Sequence, residues 1–141
     1  MNTNLTDKVY AILNEYIVSR SQYSPKVLKK ALTQTDKFPL VVLTESNNIP
    51  IHQTTKTRFR ETVSNIYYEI NIYARDMAVG TNKISNAEIC NELKVLTDKV
   101  MNGYFQFERT FSEPTPNLDN TVYRITLRYT ATLYENRERL V

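Results

Sequence analysis

The C-terminal stretch TVYRITLRYTATL alternates with a period of two. Tyr123, Ile125, Leu127, Tyr129, Ala131 and Leu133 fall on one side, and Arg124, Thr126, Arg128, Thr130 and Thr132 on the other. Successive side chains of a strand point to opposite faces, so the pattern predicts a half-buried strand. At about a dozen residues it is twice the usual strand length of about five or six. A second segment, TVSNIYYEINIYAR, repeats the pattern. It sets Ile66, Tyr68, Ile70 and Ile72 on one face, and Asn65, Tyr67, Glu69, Asn71 and Tyr73 on the other. Two long strands with one apolar face each require something apolar to cover that face, and the remaining segments supply it.

Val9, Ile12, Leu13, Tyr16 and Ile17 recur at helical spacing behind Thr6, which reads as an N-cap. Ile89, Leu93, Leu96 and Val100 form a second helical stripe opened by a capping box from Ser85 to Glu88, with Asn102 and Gly103 ending it. Pro25 opens PKVLKKAL as a short helical turn. FPLVVLTES reads as a buried strand running into a loop, DMAVGTNK as a turn, and YFQFERTFSE as the strand before the last. The order helix, strand, strand, helix, strand, strand predicts an α+β fold. Its expected form is a two-layer sandwich, a four-stranded mostly antiparallel sheet covered on one face by two main helices. The 141 residues are expected to make a single domain, 1–141. A polar loop or β arm is expected at about 47–62, and a short charged tail at about 135–141.

Chemistry is hard to place on these residues. His52 is the only histidine, so one chain cannot assemble a catalytic triad or a multi-histidine metal site. Cys90, the only cysteine, sits beside Ile89 on the second helix, where core packing is the expected role. Gly80 and Gly103 are isolated and form no phosphate-cradling loop. Glu88 is accounted for by capping, and Glu135 with Arg139 by an i to i+4 pair. No enzymatic activity, cofactor or metal is expected. A formal net charge of +3 is far from the basic excess of a nucleic-acid binder. No apolar run approaches the roughly 18 residues of a membrane span, and no signal-peptide order opens the sequence, so synthesis inside the cell is expected without membrane attachment. Tyrosines such as Tyr67 and Tyr73 on the outward face suit a protein interface, burying ring area while keeping the hydroxyl bonded.

Taken together, the opening helix, FPLVVLTES, IYYEINIYAR, NAEICNELKVLTDKVM, GYFQFERTF and PNLDNTVYRITLRYTATL resemble the tail terminator proteins of long-tailed bacteriophages. These are also called tail completion or tail-to-head joining proteins. The resemblance runs from about Val9 to the end and lies in pattern more than in strict motif. It implies a non-enzymatic virion protein, a homo-oligomeric ring, usually a hexamer, that caps the tail tube and joins it to the head connector. Double-stranded DNA would pass through its lumen without sequence-specific binding. The implied partners are the tail tube protein and the head connector or completion protein. The implied location is the head-tail interface of the virion, and the host cytoplasm during assembly. Candidate interface residues are His52, Lys56, Arg58, Arg60, Tyr67, Glu69, Tyr73 and Glu108, with Arg124 and Arg128 as an interface or lumen face. If the two arginines sit between subunits they are expected to meet Glu69 or Glu108. If they line a lumen they are expected to lack protein partners. Two other readings are a head-completion or stopper protein of the phage neck, and a monomeric domain binding RNA or a peptide on its sheet.

Overall fold

The computed structural model describes residues 3–29, 38–50, 61–79, 81–115 and 121–136. Among these residues the fold is α+β, with two helices, a five-stranded sheet and a separate two-stranded one. Helix α1 (Thr3–Arg20) is followed by β1 (Lys26–Lys29), β2 (Leu40–Pro50) and β3 (Glu61–Ala74). A small hairpin, β4 (Met77–Val79) and β5 (Asn82–Ile84), leads to α2 (Asn86–Asp98). A π-helical turn (Lys99–Tyr104), β6 (Glu108–Pro114) and β7 (Tyr123–Asn136) complete the order.

The main sheet is ordered β1-β2-β3-β7-β6. All of its contacts are antiparallel except β1 against β2, which is parallel. At its centre β3 and β7 pair over fourteen residues each, from Glu61 opposite Asn136 to Ala74 opposite Tyr123. The alternation read from the sequence sets the faces. Ile66, Tyr68, Ile70, Ile72, Ile125, Leu127 and Tyr129 are all buried, in one cluster with Val9, Leu13 and Ile17 of α1 and Ile89, Cys90 and Leu93 of α2.

Several expectations are corrected. The sheet has five strands, because PKVLKKAL contributes β1 and not a helical turn. Pairing with β2 outweighs the local helical signal of Pro25, and Ser24, at φ 51°, turns the chain into the strand. DMAVGTNK is not a plain turn but most of the β4-β5 hairpin. Thr6 does not cap α1, which starts at Thr3. Its hydroxyl instead donates to the Glu45 carboxylate and lies 3.1 Å from Tyr68 Oη, so tertiary partners take it from the capping role. Gly103 does not end α2 in a left-handed cap. It lies inside the π-helical turn, and Gln106, at φ 61°, takes the left-handed conformation. The strand expected from Tyr104 therefore begins only at Glu108.

Strand β2 runs on to Pro50 and β3 begins at Glu61, so strand extends into both flanks of the segment read as loop or arm. Residues 51–60 lie outside the described residues, as do 137–141 of the expected tail. Among the described residues, no helix is long and apolar enough to cross a membrane.

Candidate interaction surface

The face of β3 and β7 turned away from the core carries a row of directly opposed polar pairs. These are Asn65 with Thr132, Tyr67 with Thr130, Glu69 with Arg128, Asn71 with Thr126, and Tyr73 with Arg124. Directly opposed side chains on one face are close enough to interact, and here Glu69, Arg128, Asn71, Thr126 and Arg124 form a continuous network. Asn71 is its hub. Its Oδ1 accepts from Thr126 Oγ1 at 2.7 Å and from Arg124 Nε at 3.0 Å, while its Nδ2 donates to Glu69 Oε2 at 2.9 Å. Arg128 Nε donates to Glu69 Oε1 at 3.1 Å. Thr115, just past the end of β6, donates to Thr126 Oγ1 at 2.6 Å.

Asn71 and Thr126 are buried although they face away from the helices. Val42, directly opposite Asn71, and Leu40, opposite Tyr73, are buried beside them. Rings and guanidinium groups stack over this side. Arg124 lies over Tyr73 (5.6 Å), Arg128 over Phe111 (4.7 Å) and Arg75 over Phe38 (4.6 Å). Such stacking is favourable because the face of an aromatic ring carries partial negative charge.

The Glu69 carboxyl is held below its ordinary value, first by the Asn71 amide; burial opposes this with the next-largest effect, and Arg128 and Arg124 add to the lowering. It is therefore an anion fixed by hydrogen bonds and not a poised acid. On the core side, burial and the Asp98 carboxylate, which accepts from Tyr129 Oη at 2.9 Å, push the Tyr129 hydroxyl above its ordinary value. Asp98 also meets Arg109 at 3.4 Å. Among the described residues no group of three or more histidine, cysteine, aspartate or glutamate side chains is placed to hold a metal ion.

The structure brings Tyr67, Glu69 and Arg128 together around a hollow of about 420 Å³ that Thr110 and Thr130 also line. Tyr73 is joined to Arg124. The arginine-carboxylate contact expected between subunits is made within one chain, by Arg128 on Glu69. Glu108 stands apart. It is exposed, opposite Thr130, and has no ion-pair partner among the described residues. His52, Lys56, Arg58 and Arg60 lie outside the described residues. Asn71 is absent from the sequence-derived candidates. The available signal was asparagine between Ile70 and Ile72, a residue type depleted in strands at the centre of a long one.

Cys90 is fully buried, with its sulfur 3.7 Å from the carbonyl oxygen of Ile72 and 3.6 Å from that of Tyr123. Burial pushes its thiol up to about 12, and only the thiolate reacts. A disulfide reagent at mildly alkaline pH should therefore label the native protein no faster than the chain opens. Rapid labelling of fully folded protein would contradict this packing.

No family model matches the chain, and no curated protein matches it.

Proposed function

We propose that the chain is a structural protein of a long-tailed phage virion. In this reading it is a tail terminator whose copies close into a ring, cap the tail tube and join it to the head connector. The finer architecture assumed is two-layered, with the helices on one face of the sheet and the polar network on the other. The observation that carries the reading is the extension of β2, β3 and β7 past the end of β6. β6 stops at Glu108 opposite Thr130, while β7 continues to Asn136 and β3 pairs with it back to Glu61. A monomer has little use for such a projection. Strand edges left bare promote association, whereas a ring of neighbours covers them. The polar network suits a rigid wall, since its arginines are already engaged within the chain. A net charge of +3 also suits DNA passage, because each phosphate contact adds affinity and would slow transit.

Light scattering on the purified chain should give a mass several times that of the monomer, and electron microscopy should show closed rings with an open centre. Rings mixed with tail tubes and with DNA-filled heads should bind tube ends in preference, which separates a terminator from a neck stopper. A monomeric mass at every concentration, with no binding to tube ends, would sink the reading.

A further inference from the structure

Two features of the sheet, the bare edge of β7 beyond Thr130 and the edge strand β1 on the opposite side, are complementary in backbone and in charge. The Thr115 N–H donates to the Arg124 carbonyl at 2.8 Å, which fixes the direction of the β7 backbone. Alternate residues of a strand direct both backbone groups to the same neighbour. The pairing of β7 with β3 is unbroken from Tyr123 to Asn136. Arg124, Thr126, Arg128 and Thr130 therefore address β6, and Thr132, Tyr134 and Asn136 direct their backbone groups to the same side, beyond its end. No strand among the described residues pairs there.

This vacancy has a local cause. Tyr104 to Phe107 alternate as a strand would, but the π-helical turn and the left-handed Gln106 carry them out of the sheet. Phe105 and Phe107 stack on each other at 5.2 Å, and Phe107 on Tyr68 at 5.6 Å, which anchors that path. What remains beside Thr130, Ala131 and Thr132 is a hollow of about 340 Å³ bordered by Phe105, Phe107 and Glu108.

The other bare edges are blunted. β6 carries an extra residue between Arg109 and Phe111 and ends at Pro114. β2 beyond Leu43 carries a register shift between Glu45 and Asn48 and ends at Pro50. Bulges and prolines are the usual defences of an edge. The end of β7 has neither.

We infer that this edge receives a strand from a second copy of the chain, namely its β1, so that the sheet continues from subunit to subunit. The inference rests on the ring reading and specifies its contact. The Lys26 N–H donates to the Pro39 carbonyl, so Lys26 and Leu28 face β2 and the backbone groups of Val27 and Lys29 face outward, where the Val27 carbonyl already accepts from Tyr10 Oη at 3.1 Å and keeps its second lone pair for a neighbour. The charges also match. Lys26 is exposed without an ion-pair partner among the described residues, and so is Glu108 at the head of the vacancy. Because β1 and the end of β7 lie on opposite sides of one sheet, the contact is head-to-tail, the type that can close a ring.

Thr132→Pro removes an outward N–H while leaving the pairing of β7 with β3 intact, because proline is tolerated where the missing donor faces away from the ladder. The variant should keep the wild-type circular dichroism and remain monomeric. Glu108→Lys and Lys26→Glu should each weaken assembly about tenfold or more, because like charges meet. The double variant E108K/K26E should recover to within about twofold of wild type. Should Thr132→Pro fail to fold, hydrogen exchange decides. The amides of Thr132 and Tyr134 should be slowed in the wild-type oligomer relative to the diluted monomer, and equal exchange overturns the inference. An oligomer of unchanged mass in folded Thr132→Pro overturns the edge pairing and leaves the ring standing. Failure of the double variant to recover overturns β1 as the occupant. A wild type that stays monomeric overturns both ring and edge.

Discussion

Replacing Ile70 with alanine should destabilise the protein by about 2–5 kcal/mol, the range for truncating a fully buried isoleucine. Ile70 has no exposed surface and stands between Leu43 of β2 and Leu127 of β7, both also buried. These three make one rung of the apolar face, and the core they enter includes Leu13 of α1 and Leu93 of α2. Deleting the branched side chain removes buried hydrocarbon from the folded state and leaves a cavity that central strands, paired on both sides, cannot close by shifting. Ile70→Val provides the graded control, at about 0.5–1.5 kcal/mol. Urea unfolding of the three proteins should show midpoints falling in that order with the slope unchanged. Equal midpoints for wild type and Ile70→Ala would mean that this face is not the core, and the register of the whole central pair would be wrong.

The register was legible because it is written in a period of two that no competing pattern obscures. From Ile66 to Ile72 and from Ile125 to Tyr129, every second residue is buried. The cap of α2 was legible for a similar reason. Ser85 Oγ accepts from the Glu88 N–H at 3.3 Å, a contact between residues three apart. Elements formed by distant pairing were hidden. β1 is four residues whose strand character comes from β2, fourteen positions further on, and its own composition resembles a helical turn. Tyr104 to Phe107 failed in the opposite direction, since their alternation is real but the rings of Phe105 and Phe107 stack in series on Tyr68 instead of extending the sheet. The candidate surface was half legible. Period two separates Glu69, Arg124 and Arg128 from the core, but only the cross-strand register shows that Asn71 stands opposite Thr126 and holds Glu69 and Arg124.

That hub supports the second large prediction. Asn71→Ala should cost about 1–3 kcal/mol at neutral pH, the penalty for leaving a buried polar group without its partner. Thr126, almost fully buried, loses the acceptor of its hydroxyl, and Arg124 Nε loses its own. The loss should also depend on pH in a direction fixed by Glu69. Its folded-state value lies below the ordinary 4.5, and the Asn71 amide is the largest cause. A carboxyl lowered by folding contributes stability that is fully present above its unfolded value and lost as pH falls through the folded one. Removing the amide raises the folded value toward 4.5, so part of that contribution disappears. The gap between wild type and Asn71→Ala should therefore be widest above about pH 4.5 and should narrow on acidification, as Glu69 becomes protonated in both proteins. Urea unfolding across a pH series would measure it, and a nuclear magnetic resonance titration of the Glu69 carboxyl carbon would show the upward shift directly. A gap that stays constant as Glu69 titrates would mean that Asn71 does not hold this carboxylate. An unchanged stability at neutral pH would mean that the buried hydroxyl of Thr126 finds another acceptor, and that the polar face is looser than the rigid wall of the proposed ring requires.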